Sequence, residues 1–210
     1  RAIRDGDHYV LNGEKTPVSM GGQAEVVVLF AKTDPAKGAR GTTCFLIPLP
    51  FPGVTVSTYD QTGFAPFKST SLALNDVRLP VGYRLGEEGK GFYYAMNAFD
   101  IVRIGMALSC LGSAAATLEE TVQHAKQRTA FGKPIGSFQG ISFKLAEAAT
   151  LLEAARLLCY RTLGMRDQGL THSKESAMCK WWCPKVAVEI IHDCLLIFGH
   201  VGYSKESPIE

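Results

Sequence analysis

The hydrophobic pattern of this chain changes its period once, and that change restricts the fold more than any other feature. Before about residue 86, apolar residues alternate in short runs separated by Gly, Pro and Asn, which is typical of β-strands. After residue 89 they recur at spacings of three and four, which is typical of amphipathic helices. The sequence therefore predicts an α+β fold, with a small β-barrel-like domain at residues 1–85 and a long-helix bundle at residues 86–210.

Turn signals divide the first half into short strands. We predict a turn at Asp5–Asp7 and a hairpin turn at Asn12–Gly13, because the central residues of that hairpin turn need positive φ. A polar loop is expected at Thr33–Gly41. The predicted strands are 8–11, 26–32, 42–48, 54–59, 70–74 and 77–80, with Asn75–Asp76 separating the last two.

Three long helices are predicted in the second half, at about 91–127, 138–167 and 173–198. Gly169 is a candidate stop for the second helix, and Ser173 with Ser176 opens the third. Pro184 lies inside the third helix and should kink it or remove a hydrogen bond. Three such helices rarely bury all their apolar faces alone, so we expect a fourth helix or a partner subunit to cover them.

Composition excludes several classes of protein. The chain is 46% hydrophobic and 20% charged with a net charge of +2, so nucleic acid is not an expected partner. No uninterrupted run of 18 apolar residues occurs, so no membrane span is expected. Cys179 and Cys183 share a helix face, but no further ligands are spaced to complete a metal site. We therefore expect no metal, and we interpret the six cysteines as reduced, mostly buried thiols.

Residues 128–139, RTAFGKPIGSFQ, join the first two helices and contain the clearest functional motif. Arg128 can bind phosphate oxygens or a carboxylate through two parallel hydrogen bonds, and Phe131 can pack against a flat ring. Gln139 can both donate and accept hydrogen bonds. Together these residues could clamp an extended nucleotide cofactor, although an ordinary helix–loop–helix with a C-terminal Arg is the alternative interpretation.

Seven motifs follow one another along the chain: DGDHYVLNGEK, NDVRLP, GEEGKGF, AFDIVR, QRTAFGKPIGSFQ, KLAEAATLLEAARLL and IFGHVGY. Their order and spacing resemble the acyl-CoA dehydrogenase family, from its middle β-domain into its C-terminal helical domain. The chain has neither a start Met nor a visible signal peptide. The resemblance implies that it is the middle of a longer protein, with an N-terminal helical domain and a C-terminal segment outside these residues.

The resemblance implies an activity as well as a fold. Members of the family are usually homotetramers that bind FAD between the β-domain and the helical domain, where the cofactor also touches a neighbouring subunit. A carboxylate removes the α-proton of an acyl-CoA thioester, and the β-hydride passes to flavin N5. Electrons then usually leave through an electron-transfer flavoprotein. The expected location is the bacterial cytoplasm, with the mitochondrial matrix as the alternative.

The resemblance also assigns roles to individual residues of this sequence. It implies that FAD is bound by Val18, Ser19, Arg128, Phe131, Gln139, Gly199 and His200. It implies that acyl-CoA is bound by Phe99, Asp100 and Arg103. Asp100 and Arg103 are also spaced for an ordinary helix salt bridge, and that alternative stays open.

Several residues depart from the family pattern. Pro17 occupies the position of an aromatic residue that usually packs on the flavin, and Ala130 replaces a common hydroxyl residue. Leu196 replaces a Gln, and His200 replaces a Gly. Val102 occupies a position where some members carry the catalytic Glu, so no base is assigned in this chain. The base is expected beyond Glu210.

Two other functions remain possible from the sequence. An acyl-CoA oxidase or a flavin monooxygenase of similar architecture differs in oxygen access, and Pro17 keeps that alternative open. A non-catalytic interaction module would not need the combination of Arg128, Phe131 and Gln139. Flavin absorbance of the purified protein would separate these classes.

Overall fold

The structure is a computed structural model that describes residues 1–63, 66–205, 207 and 209. Two compact units, Arg1–Asn97 and Ala98–Glu210, make up the chain. Antiparallel strands dominate the first unit and long helices the second, which confirms the α+β prediction. The boundary between the units falls inside the first helix, and the domain boundary between residues 85 and 86 stays a prediction.

The strands of the first unit are β1 (Ala2–Asp5), β2 (His8–Ser19), β3 (Val26–Lys32), β4 (Thr42–Pro48), β5 (Val54–Thr58), β6 (Ser69–Pro80) and β7 (Arg84–Leu85). They form two antiparallel sheets, ordered β1-β2-β6-β5 and β3-β4-β7. Alternating side chains from both sheets fill one core, in which the rings of Tyr9 and Phe45 meet edge to face at 4.9 Å. A short 3-10 helix at Pro35–Gly41 lies within the predicted polar loop.

The predicted hairpin turn at Asn12–Gly13 is wrong, because β2 runs straight through it. The turn predicted at Asp5–Asp7 is confirmed, because the chain reverses at Gly6 and Asp7 and Asp5 pairs with His8. At Asn12–Gly13 the register between β2 and β6 shifts, which makes a β-bulge. The Asn12 side chain donates to Asp76 Oδ1 at 2.9 Å and accepts from the Asp76 N–H at 2.8 Å. The contact between Asn12 and Asp76, which are 64 positions apart in sequence, thus makes Asn12–Gly13 a bulge and not a hairpin turn.

The predicted strands 70–74 and 77–80 are one strand, β6. Asn75–Asp76 does not end it, although Asp76 has the left-handed φ of 48°. Pairing with β2 on one side and β5 on the other holds both halves of β6 in line. Local turn propensity at Asn75–Asp76 therefore produces a distortion opposite the β2 bulge and not a chain reversal.

The three predicted helices are confirmed to within a residue at each end. They are α1 (Gly91–Gln127), α2 (Gln139–Asp167) and α3 (Ser173–Phe198), and α3 continues through Pro184. Between α1 and α2 lies a small hairpin of β8 (Thr129–Ala130) and β9 (Lys133–Pro134). A 3-10 turn, Gly199–Tyr203, follows α3.

Buried side chains from all three helices form the core of the second unit, among them Ile104, Leu152 and Ile190. Four thiols, Cys159, Cys179, Cys183 and Cys194, are buried in it. The sulfurs of Cys159 and Cys183 lie 3.6 Å apart, and burial raises the pKa of both thiols. Within the described part of the chain, His, Cys, Asp and Glu form no group of three suited to a metal ion.

Two segments, α1 and residues 173–203, are long and apolar enough by length and composition to cross a membrane. The same segments supply buried residues to the core of the second unit. Core helices of globular proteins pass such a test as readily as membrane spans, so length and composition alone indicate little.

Candidate functional site

A cleft of about 510 Å³ lies in the second unit, where the end of α1, the β8–β9 hairpin, the start of α2 and the end of α3 meet. Most of its wall is apolar or aromatic. It is lined by His124, Arg128, Ala130, Phe131, Ile135, Phe138, Ile141, Ile197, Phe198, Gly199, His200 and Val201. Four of the residues predicted to bind FAD, Arg128, Phe131, Gly199 and His200, are thus brought together in one place.

Arg128 leads from α1 into the hairpin. Its N–H donates to the His124 carbonyl and its carbonyl accepts from the Ile135 N–H, both at 2.8 Å, so its backbone is held on both sides. The residue is exposed and takes part in none of the ion pairs formed by the described residues. The guanidinium is therefore available to an anionic ligand.

Phe131 forms the tip of the hairpin in an unfavourable backbone conformation. Phe131 and Gly132 have φ of 51° and 80°, and Ala130 pairs directly with Lys133, so the connection is a two-residue turn with positive φ at both positions. Such a turn favours Asn, Asp or Gly at its first position, and a bulky side chain there is unusual. Phe131 is also 96% exposed, with only an edge contact to Phe138 at 6.2 Å. Neither burial nor backbone preference explains an aromatic residue here, which points to a ligand contact.

The opposite wall of the cleft is the end of α3. Gly199 ends that helix with φ of 62°, and a Cβ built on it would meet nothing within 4 Å. Phe198 stacks on His124 with ring centroids 4.3 Å apart and planes 17° apart. Burial, and then the charge of Arg128, lower the pKa of His124. The imidazole is therefore neutral at neutral pH, and Arg128, not His124, supplies positive charge to the cleft.

Gln139 does not line this cleft, although its neighbour Phe138 does. It is the first residue of α2 and is exposed. In the described part of the chain, the N-cap residue Phe138 makes no side-chain hydrogen bond to that helix end. The predicted contact of Gln139 with FAD stays a prediction.

A second cluster of predicted residues lies on α1. The Arg103 guanidinium donates to Asp100 Oδ1 at 2.8 Å and lies 5.9 Å from the centre of the Phe99 ring. The other carboxylate oxygen of Asp100 accepts a hydrogen bond from the Ser173 hydroxyl. The Asp100 side chain is only 16% exposed, whereas that of Arg103 is 34% exposed. The helix salt bridge is thus present, but it is one part of a larger polar network.

Ser19 and Val18 lie at the end of β2 in the first unit. The Val18 carbonyl accepts from the Thr70 hydroxyl at 2.9 Å, which fixes the backbone beside Ser19. Ser19 is exposed and pairs with Ser69 across the sheet. Its hydroxyl has no hydrogen-bond partner among the described residues, so it is available to donate.

Sequence reasoning missed three residues that shape these sites: His124, Phe198 and Ser173. His124 precedes Arg128 by one helical turn, and that spacing is the only signal that could have identified it. The stacking of Phe198 on His124 and the Ser173–Asp100 bond join residues more than 70 positions apart, so no local pattern predicts them.

Both halves of the chain match models of known protein domains. Residues 1–77 match the model of the acyl-CoA dehydrogenase middle domain, and residues 89–210 match that of the acyl-CoA dehydrogenase C-terminal domain. An acyl-CoA dehydrogenase of Bacillus subtilis is 40% identical over all 210 residues, which correspond to 55% of its length. The CarC subunit of the caffeyl-CoA reductase-Etf complex of Acetobacterium woodii is 38% identical, again over 100% of this chain and 55% of the relative.

The fold of the chain is similar to that of a solved structure. Butyryl-CoA dehydrogenase of Megasphaera elsdenii superimposes with a TM-score of 0.95 at 40% identity, covering 99% of this chain and 55% of that one. The chain thus spans about half the length of the relatives it matches.

Proposed function

This chain belongs to the acyl-CoA dehydrogenase family, and from that premise we propose that it forms part of an FAD-dependent enzyme that oxidises an acyl-CoA between its α and β carbons. The observation that carries the proposal is the cleft around Arg128. It combines a free guanidinium, an exposed Phe131 and an aromatic wall. A phosphorylated aromatic ligand needs this combination, whereas a purely structural module does not.

The residues present fit FAD on chemical grounds. Arg128 would bind a phosphate oxygen, and Phe131 offers a flat apolar face for a ring system. Among the described residues, no atom fills the space where a Gly199 side chain would lie, so a ligand can approach the backbone at Gly199 and His200 closely. In the first unit, the Ser19 hydroxyl and the backbone of Val18 would serve the flavin. When bound, FAD supplies the acceptor for the hydride that leaves the acyl β-carbon.

The proposed roles of Asp100 and Arg103 are in substrate binding. Arg103 presents a partly exposed cation whose direction is set by Asp100 and Phe99. Both carboxylate oxygens of Asp100 already accept hydrogen bonds, from Arg103 and Ser173. That arrangement supports a positioning role for Asp100 and argues against its acting as the base. We propose that the base comes from the chain after Glu210.

Electron-transfer flavoprotein is the proposed electron acceptor, as the name of the Acetobacterium woodii relative suggests for that protein. We further propose a cytoplasmic homotetramer. Large apolar side chains exposed on α2 and α3, such as Phe143, Trp181 and Val188, support assembly with other copies.

Anaerobic reduction of the full-length enzyme tests the proposed function. Addition of butyryl-CoA, followed by a panel of longer and branched acyl-CoAs, should bleach the visible absorbance of bound flavin with at least one substrate. Electron-transfer flavoprotein should then restore the absorbance. Rapid reoxidation by oxygen with formation of hydrogen peroxide would instead identify an oxidase, and a colourless protein would contradict the proposal.

A further inference from the structure

The first turn of α3 holds the Asp100–Arg103 pair through two hydroxyl groups. We infer that Ser173 is a positioning residue for acyl-CoA binding, because its hydroxyl fixes the Asp100 carboxylate and that carboxylate fixes the Arg103 guanidinium. The inference rests on the proposed function, in which Arg103 contacts the thioester substrate. It adds a residue from α3 to a binding site that the sequence places on α1 alone.

The contacts of the Asp100 side chain carry the first step. Oδ1 accepts from the Arg103 guanidinium at 2.8 Å, and Oδ2 accepts from the Ser173 hydroxyl. With a partner at each oxygen and only 16% exposure, the carboxylate has one well-defined orientation. An exposed pair of two long side chains would lack that restriction.

The backbone of Asp100 is held from the same helix. The hydroxyl of Ser176, a fully buried residue, donates to the Asp100 carbonyl. The first turn of α3 thus binds Asp100 at both its side chain and its main chain. Among the described residues, the N-cap residue His172 makes no capping hydrogen bond with its side chain, and the Asp100 carboxylate adds to that of Glu175 the negative charge that this helix end favours.

These contacts of Asp100 fix the orientation of the Arg103 side chain. Its guanidinium has five N–H donors, and the bond to Asp100 uses one of them. The Phe99 ring lies beside it at 5.9 Å, and the side chain is 34% exposed. An arginine that Asp100 holds on one edge has its remaining N–H donors available to a ligand. Binding then costs less conformational entropy, because the side chain is already ordered.

A purely structural role for Ser173 makes different predictions. As the first residue of α3, Ser173 could serve only to start that helix. Its replacement would then lower thermal stability but leave substrate affinity unchanged. Positioning instead predicts an affinity loss that depends on Arg103 being present.

The test uses the full-length, FAD-loaded enzyme, with butyryl-CoA as the assay substrate and free coenzyme A as the binding probe. Ser173→Ala should raise KM and the Kd for coenzyme A about three- to tenfold, with kcat within about twofold of wild type. Ser173→Thr, which keeps the hydroxyl, should restore both constants. Ser113→Ala is the matched control, since among the described residues that exposed hydroxyl of α1 donates only within its own helix, to the Ser109 carbonyl.

A double-mutant cycle keeps the inference falsifiable even if Ser173→Ala lowers stability. In an Arg103→Ala background, Ser173→Ala should have no further effect on the Kd. An effect that persists there, or an unchanged KM in Ser173→Ala when Arg103→Ala raises it, would overturn the positioning role and leave the proposed function intact. Unchanged binding in Arg103→Ala itself would overturn the proposed role of Arg103 and this inference with it.

Discussion

At the scale of single residues, Arg128 and Phe131 show how far sequence reasoning reaches. Both stand in a contiguous motif, and the structure places both on one cleft. The sequence could not reveal that Phe131 has positive φ or that it is 96% exposed, because both properties depend on the register of the β8–β9 hairpin. Residue types indicated what the two side chains could bind, whereas the backbone conformation that presents them could not be predicted from the sequence.

Replacement of Arg128 by Ala should weaken FAD retention about ten- to a hundredfold, since a charge-assisted hydrogen bond contributes about 1.5–3 kcal/mol. The measurement is flavin content per protomer after gel filtration, together with the Kd for added FAD. Lys126→Ala removes an exposed cation of the same helical turn that does not line the cleft. If the two variants retain equal amounts of flavin, Arg128 has no role in binding it.

Phe131→Asn should separate stability from binding. Asn tolerates the left-handed conformation that costs other residues about 1–2 kcal/mol, and the edge-to-face packing of the Phe131 ring against Phe138 contributes about 0.5–1.5 kcal/mol. The variant should therefore unfold at equal or higher urea concentration while losing FAD. Phe143→Asn, an exposed aromatic on regular helix, should bring no such gain. A clear loss of stability in the apo form of Phe131→Asn would contradict this account.

Asp100→Asn distinguishes positioning from catalysis. If Asp100 only orients Arg103, the variant should keep measurable turnover with a raised KM, since positional binding is shared by ground and transition states. If Asp100 were the base, kcat should fall about a thousandfold or more while acyl-CoA still binds. Steady-state turnover with an electron acceptor measures kcat and KM, and stopped-flow bleaching of the flavin under anaerobic conditions measures the rate of the chemical step. An isolated surface salt bridge would produce neither change.

At the scale of elements, the helices and the turn at Asp5–Asp7 were predictable, whereas the course of the chain at Asn12–Gly13 and at Asn75–Asp76 was not. Each helix carries its own apolar period and end signals, so α1, α2 and α3 were located within a residue. Asn12–Gly13 carries an equally strong local turn signal, yet β6 pairs across it and converts the turn into a bulge. The conformation of a strand residue depends on partners far away in sequence, and a local pattern contains no information about those partners.

The contact between α1 and α3 at His124 and Phe198 should make stability depend on pH. The pKa of His124 is lowered in the folded state, chiefly by burial, so below about pH 6.5 the unfolded chain binds a proton that the folded chain resists. The free energy of unfolding should therefore fall as the pH drops through that range. Above it, the contribution of the neutral His124 to stability should be complete. His124→Phe keeps the stacking but cannot titrate, so its unfolding free energy should change less between about pH 7.5 and about pH 5.5. Urea unfolding of both proteins at both pH values provides the check, and equal changes would exclude His124 as the source.

At the scale of the whole molecule, exposed apolar side chains predict assembly. Trp181 and Val188 on α3 are 65% and 68% exposed, which is unusual for large apolar residues in a protein without partners. The full-length enzyme should be a homotetramer by multi-angle light scattering. Val188→Lys should shift it towards smaller species, whereas Gln168→Lys, the same added charge at an exposed polar position, should not. A wild-type monomer would contradict the prediction.

The reactivity of the thiols buried in the helical core reports how often that core opens to solvent. Cys159, Cys183 and Cys194 are nearly inaccessible, and burial raises the pKa of each, so none can react with an aromatic disulfide reagent while the helices stay together. Cys110 is only partly buried and should react first. Slow labelling of these three thiols, followed by mass spectrometry of their peptides so that the buried Cys44 of the first unit is kept apart, then measures how often the helices separate when no denaturant is present. The same time course, recorded with and without FAD, would show how strongly the cofactor suppresses those rare openings.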